Sequence, residues 1–482
     1  MPTRAYPGRH RVRRPYRLVA WLAVAMLAAL GIVVGVDRAF YSAEAQQPPP
    51  GPWPTAWPPA SCTVQAIDAR CGTFVVPENR EEPDGRAIGL RVLVLPAWSK
   101  PVARDAVTYL EGGPGLAATD DAAGLRAAWA GLNLHHDILL VDQRGTGGSN
   151  AYSCPEQATP LGPEADLRAC LEGFGGDATR YGTRAAMDDL DAVRAALGYP
   201  QLDVVGGSYG ATAAQMYLQL HPSSVRTLTL QGASALDVPY YDRFAANAQR
   251  ALDRLARRCA ADAACRKAFP GWERQFRELV HAWNVTPAQI GEGETMTGDQ
   301  LAWAVQRLLV DEQEAASIPL VVSRAAAGDY APLVDAGPGS SEGDQLMSQW
   351  IWCSEPWVGL DAKGPWGTAF DSYTAARIAL LARRCTALPR RAEPRSLWTF
   401  PSSKRVPVLA IAGGADPQDP IVNLPGLKRH FPDSRAVILP YAGHHWSIGG
   451  CVGLITANFV DSGTTAGLDT SCTSTILPPP FP

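Results

Sequence analysis

The five residues Gly206-Gly207-Ser208-Tyr209-Gly210 constrain this chain more than any other stretch. Before them lies Leu202–Val205, a short β-forming run, and after them Tyr209–Leu220 reads as helix. Glycine on both sides of the serine removes side chains that would collide in a tight strand-to-helix turn. Such a turn presents a serine at the carboxyl end of a strand, where sheets of this kind carry their active sites. The helix behind it points its positive end at any negative charge that develops there. Ser208 is therefore the candidate nucleophile, against the plainer reading of a chance Gly-rich turn.

The rest of the chain supplies a sheet for that turn to stand on. Ile88–Leu95, Ala106–Leu110, Asp137–Val141 and Val225–Leu230 read as strands, and Thr183–Leu197 has helical spacing with Met187, Leu190, Val193 and Leu197 on one face. Strands alternating with helices predict a mostly parallel sheet in an α/β fold. Between about Leu236 and Phe400 the β signal fades, and 245–258, 299–309 and 373–384 read as amphipathic helices. Strand character resumes at Val406–Ala412 and Ala436–Pro440. The expected division is a first core segment at 61–235, a helical cap at 236–400, and a second core segment at 401–482. No internal repeat is evident.

A serine nucleophile needs a base, and the base needs an orienting acid. For a serine on such a turn, acid and then base follow it along the chain. Of eight histidines, His10, His135 and His136 precede Ser208. His221 ends the following helix, His281 falls in the expected cap, and His430 sits in a helix-like stretch. His444 and His445 remain, just after a strand, and His444 is favoured with His445 as the alternate. The preceding strand leads into Gly413-Gly414-Ala415-Asp416-Pro417-Gln418-Asp419-Pro420, so Asp416 is the expected acid and Asp419 the runner-up. Either could also serve only as an Asp-Pro turn former. An oxyanion hole needs two preorganised N–H groups. Tyr209 should give one, and the loop Glu111-Gly112-Gly113-Pro114-Gly115 the other.

The amino terminus has a separate purpose. Residues 1–36 hold six Arg and no Asp or Glu, so the remainder carries 37 basic and 47 acidic residues, a net charge of −10. Such a body has no electrostatic footprint for nucleic acid. The basic segment 1–17 precedes the uncharged run 18–36, long enough to span a bilayer and flanked as an export segment is. Ala43-Glu44-Ala45 fits a signal-peptidase site, so the run is a cleaved signal peptide or a retained anchor, and the only expected membrane contact. Arg13-Arg14 is a weak hint of a twin-arginine signal. Residues 37–60 are Pro-rich and read as an extended spacer. Ten cysteines, all beyond the run, predict five disulfides outside the cytoplasm. Joining sequence neighbours gives 62–71, 154–170, 259–265, 353–385 and 451–472, one connectivity among many. No C-x-x-C pair or Cys/His cluster calls for a metal, and no cofactor is expected.

EGGPG at 111–115, DQRGTGGS at 142–149, GGSYG at 206–210, GGADPQDP at 413–420 and AGH at 442–444 occur in this order. Together they resemble the proline iminopeptidase-like peptidases and, more closely, the secreted tripeptidyl aminopeptidases of actinobacteria. Ala325–Asp329, Trp352–Glu355 and the Cys-containing C-terminal segment resemble that group too, so the likeness covers about residues 60 to 475. It implies an α/β-hydrolase fold with an inserted helical cap. It also implies a peptidase acting at free N-termini, with Ser208, Asp416 and His444 as triad and Gly113 and Tyr209 as oxyanion hole. Two departures are the second histidine after His444 and Pro-Gln-Asp-Pro after Asp416, where a Thr-Pro pair is common.

An aminopeptidase must also bind an ammonium group, and a partly buried carboxylate in the cap is the natural partner. Glu355 is the candidate, with Asp311, Glu312 and Glu314 as others, against the reading of a solvated helix face or ordinary ion pair. The expected function is an exported serine peptidase acting on peptides with a free N-terminus. The alternative is a secreted carboxylesterase or lipase using the same triad, since G-x-S-x-G does not separate amides from esters. A non-catalytic binding module would predict a broken triad. Nothing in the pattern specifies an oligomeric state.

Overall fold

In the computed structural model the alternating apolar runs become a twisted sheet with helices on both faces. The structure describes residues 54–151, 164–291, 293–335, 345–389, 391 and 393–482. The basic segment, the uncharged run 18–36, the Ala43–Ala45 site and Cys154 lie outside them. No described helix is long and apolar enough to cross a membrane.

Eleven strands occur among the described residues: β1 (Ala60–Val64), β2 (Ile67–Pro77), β3 (Ala87–Leu95), β4 (Ala106–Leu110), β5 (Asp137–Val141), β6 (Leu202–Gly207), β7 (Val225–Gln231), β8 (Ala288–Gly291), β9 (Glu294–Met296), β10 (Val408–Gly413) and β11 (Ser434–Leu439). Nine form one sheet in the order β1-β2-β3-β5-β4-β6-β7-β10-β11, and β8–β9 make a separate hairpin. From β5 through β11 the neighbours are parallel, while β1, β2 and β3 extend the sheet antiparallel. The antiparallel edge adds to the parallel sheet that the sequence pattern predicts.

Successive residues of a strand face opposite sides. Val204 and Leu228 pack with residues of the helices Thr183–Ala196 and Tyr209–Leu220 on one face. Val205 and Leu409 pack with the helices Ala122–Ala128 and Gly450–Ser462 on the other. Each fully buried Val or Leu contributes about 1.5–3 kcal/mol of transfer free energy. β4, β6, β7 and β10 are buried almost throughout, as the central strands of a doubly covered sheet must be.

Among the described residues between β7 and β10 the regular elements are helices, apart from the β8–β9 hairpin. Tyr241, Phe244, Phe276, Leu301, Val305, Ile318 and Phe370 bury one another in a second apolar cluster there. One helix of this stretch, Gln345–Ser354, instead inserts Leu346, Met347, Trp350 and Ile351 into the core of the sheet. The carboxyl end of the Pro-rich segment also lies against the sheet. Trp57 packs against Phe74 with ring centroids 4.7 Å apart, and Thr73 N–H donates to the Ala56 carbonyl. Cys62–Cys71, Cys259–Cys265, Cys353–Cys385 and Cys451–Cys472 are disulfides.

Candidate active site

Ser208 joins the end of β6 to the helix Tyr209–Leu220 with φ 54° and ψ −123°. That backbone is strained for a residue with a side chain, and it is held by its surroundings. Ser208 N–H donates to the Gln231 carbonyl, and Ala211 N–H to the Ser208 carbonyl, each at 2.8 Å. The glycines are required by close approach. A Cβ on Gly206 would stand 2.2 Å from the Gly210 carbonyl oxygen, and one on Gly210 1.8 Å from that of Leu110.

The acid and base loops follow β10 and β11 and touch each other. Ala415 N–H donates to the Ala442 carbonyl at 2.9 Å, and a Cβ on Gly413 would lie 1.8 Å from the Gly443 oxygen. This contact delivers His444 between the other two groups. His444 Nε2 lies 2.9 Å from Ser208 Oγ, and Nδ1 lies 3.0 Å from Asp416 Oδ2. With the proton on Nδ1, the imidazole donates to the carboxylate and accepts from the serine hydroxyl. Asp416 Oδ1 accepts from the N–H groups of Gln418 and Asp419 at 2.7 and 2.9 Å, which fixes the carboxylate. Both Asp416 and His444 are buried. Burial alone would push the His444 imidazole down. The Asp416 carboxylate, with Asp419 behind it, outweighs that and raises it to about 9.

The base loop is also tied to the helical segment. His444 and His445 both donate their N–H groups to the Val310 carbonyl, at 2.7 and 2.9 Å. The His445 side chain is exposed, and it is His444 that meets Ser208.

Gly113 and Tyr209 line one cavity with Ser208. The N–H of Tyr209 lies in the first turn of its helix, where no intrahelical acceptor exists. In the facing loop, Gly112 N–H is taken by the Glu111 carboxylate at 2.8 Å, and Gly113 is the residue of that loop that lines the cavity. Trp352, Trp357, Tyr240, Leu236 and Val238 make an apolar wall, and Ser234, Gln418 and Asp419 a polar one.

The expected ammonium-binding residue stands elsewhere. Glu355 is buried behind Trp357 and is not among the residues lining the cavity. Its Oε1 accepts from Thr183 N–H at 2.7 Å. Its Oε2 accepts from Thr183 Oγ1 at 2.8 Å and Trp357 Nε1 at 2.7 Å. Burial pushes its carboxyl up to about 7 against the pull of those donors. A carboxylate at the start of the helix Thr183–Ala196 complements the helix's positive end. Thr183 Oγ1 in turn meets Tyr209 Oη at 2.7 Å, so Glu355 braces the residue after Ser208. Asp311 caps the helix Glu312–Ala326 through the N–H groups of Gln313 and Glu314. Glu314 faces Arg307 at 3.8 Å, and Glu312 is half-buried beside Asp311 and Arg258.

The DQRGTGGS segment stiffens the site from behind. Asp142 accepts from Thr119 and from Gly148 N–H, and buried Arg144 forms a two-pronged pair with Asp189 at 2.6 and 2.7 Å. The sequence marks the motif, but its partners lie 23 and 45 residues away.

The sequence profile described as the alpha/beta hydrolase fold matches residues 106–450. The chain is 28% identical over 242 residues to YuaR of Escherichia coli (strain K12), covering 46% of this chain and 48% of that one. It is 27% identical over 278 residues to the serine protease Hip1 of Mycobacterium tuberculosis (strain ATCC 25618 / H37Rv), covering 52% and 53%. It is 31% identical over 191 residues to the tripeptidyl aminopeptidase of Streptomyces lividans, covering 33% and 34%. The chain thus spans about half the length, or less, of these curated relatives.

Proposed function

We propose, for a chain that belongs to the α/β-hydrolase fold family, a serine peptidase that releases residues or short peptides from free N-termini through an acyl-enzyme on Ser208. The observation that carries this reading is the unbroken run of contacts from Ser208 Oγ through His444 to Asp416, at 2.9 and 3.0 Å. The relatives named as peptidases support the substrate class.

In this reading His444 Nε2 takes the Ser208 proton as Oγ attacks the scissile carbonyl. Asp416 holds the imidazole in the tautomer that can accept it and stabilises the imidazolium that forms. The N–H groups of Tyr209 and Gly113 receive the oxyanion; losing one such donor typically costs about 3 kcal/mol of transition-state stabilisation. His444 then protonates the leaving amine, and a water activated by the same base releases the acyl group. The disulfides and the export-type amino terminus support a position outside the cytoplasm, with the peptidase body secreted or tethered through residues 18–36.

The test is hydrolysis of chromogenic tripeptide amides with free and N-acetylated amino termini, beside a short acyl ester. The free-amine peptide should be the preferred substrate, and Ser208→Ala should remove at least about 10⁴-fold of the rate. Ester cleavage with no cleavage of either peptide overturns the peptidase reading in favour of an esterase.

A further inference from the structure

Among the described residues one carboxylate lines the cavity beside Ser208, and it is not Glu355. Asp419 lines the cavity together with Ser208, Ser234 and Gln418. Its residue is 8% exposed, so the group is largely out of water yet opens on the space where a substrate must lie. One oxygen, Oδ1, accepts from Ser234 Oγ, which Asn423 Nδ2 orients at 2.8 Å. The other, Oδ2, accepts no hydrogen bond among the described residues. The nearest cationic atom to Oδ2 is His444 Nδ1 at 4.0 Å, and that atom already serves Asp416 at 3.0 Å. No Lys or Arg among the described residues forms an ion pair with Asp419.

A buried carboxylate with a vacant oxygen and no cation of its own is costly. Sequestration pushes the Asp419 carboxyl up, and the neighbouring Asp416 adds to that. The group that would relieve the cost is an ammonium entering from the cavity, which brings both a charge and a hydrogen-bond donor. The apolar wall of Trp352, Trp357 and Tyr240 strengthens such a pair by excluding water around it.

We infer that Asp419 is the residue that recognises the substrate's free α-ammonium group, with its Oδ2 as the acceptor and Ser234 holding Oδ1 in place. The inference rests on the peptidase reading and gives its amino-terminal selectivity a named residue. Glu355, with both oxygens engaged by Thr183 and Trp357, is assigned to bracing the wall and Tyr209.

The experiment compares kcat/KM for a free-amine tripeptide amide with that for its N-acetylated form, in wild type, Asp419→Asn, Asp419→Thr and Glu355→Gln. Active serine is titrated with a fluorophosphonate, so misfolded protein does not enter the rates. Wild type should prefer the free amine. Both Asp419 variants should lower that preference roughly 100-fold, mainly through KM for the free-amine substrate. Glu355→Gln should keep the preference within about threefold, whatever it does to the fraction of active enzyme. A loss shared equally by the two peptides in the Asp419 variants overturns the inference and leaves Asp419 acting on His444 alone. A collapse of the preference in Glu355→Gln, with the Asp419 variants unchanged, overturns it in favour of Glu355. Wild type that cleaves neither peptide fails the peptidase reading itself, a result distinct from both.

Discussion

His444 is flanked by two carboxylates, at 3.0 Å from Asp416 and 4.0 Å from Asp419, and the pair sets how the base titrates. Burial favours the neutral ring, but the two negative charges outweigh it and raise the imidazole to about 9. Only the neutral ring can accept the Ser208 proton. The kcat/KM measured on the N-acetylated peptide, whose amino terminus does not titrate, should therefore rise with pH through neutrality to a midpoint near 9, falling about tenfold per unit well below that point. Asp416→Asn should cost on the order of 10⁴-fold in kcat by losing the tautomer and the charge together. It should also move the midpoint of the profile down. A midpoint at or below the ordinary histidine value of about 6.5 in wild type would contradict this balance of charges. Exposed His445 and the partly buried Arg250 guanidinium also face this centre, so the profile is best read from the Asp416→Asn difference.

At the scale of elements, what was legible in the sequence follows from what periodicity records. β3 to β7, β10 and β11 carry short β-forming runs, and all of them stand close to where those runs predict. β1 and β2 were not visible, because the Pro-rich approach and the polar residues around Cys62 and Cys71 dilute their alternation. The β8–β9 hairpin is short and rich in Gly and Glu, with no buried face to leave a pattern. The meeting of Ser208, Asp416 and His444 was legible because their loops follow strands in a fixed order. The surroundings of Glu355 were not, since its partner Thr183 is 172 residues distant. Long-range pairing also explains Arg144, whose guanidinium grips Asp189 of the helix Thr183–Ala196 from the loop after β5. Arg144→Ala would leave that carboxylate buried, with only the half-exposed Arg80 at 2.6 Å. It should destabilise by about 3–5 kcal/mol. Replacing both partners, as Arg144→Met with Asp189→Leu, should recover much of the loss, read from the denaturation midpoint.

Across the whole molecule the sheet separates chemistry from a second charged centre. Ser208, Asp416 and His444 follow the carboxyl ends of β6, β10 and β11. Asp105, His136, Asp203 and Arg226 gather at the opposite ends of β4 to β7, where the three possible ligands lie close enough to resemble a metal site. The charge there is already met by Arg226, 2.9 Å from Asp105 and 3.1 Å from Asp203. His136 adds to it, with Nδ1 3.2 Å from Asp105 and Nε2 3.3 Å from Asp461. Burial opposes its protonated form, and Arg226 does too, but the carboxylates outweigh both and raise it above 6.5. A group raised on folding stabilises fully below its unfolded value and loses that contribution as pH climbs through the folded one. His136→Gln should therefore destabilise by roughly 1–3 kcal/mol at pH 5.5, and by distinctly less at pH 9. The measurement is the difference in melting temperature between wild type and variant across that range. The variant's kcat at 25 °C should stay close to wild type, because His136 lies at the end of the sheet away from Ser208. A destabilisation that grows toward alkaline pH would mean the ring is held neutral, and would reverse the assignment of charge in this centre.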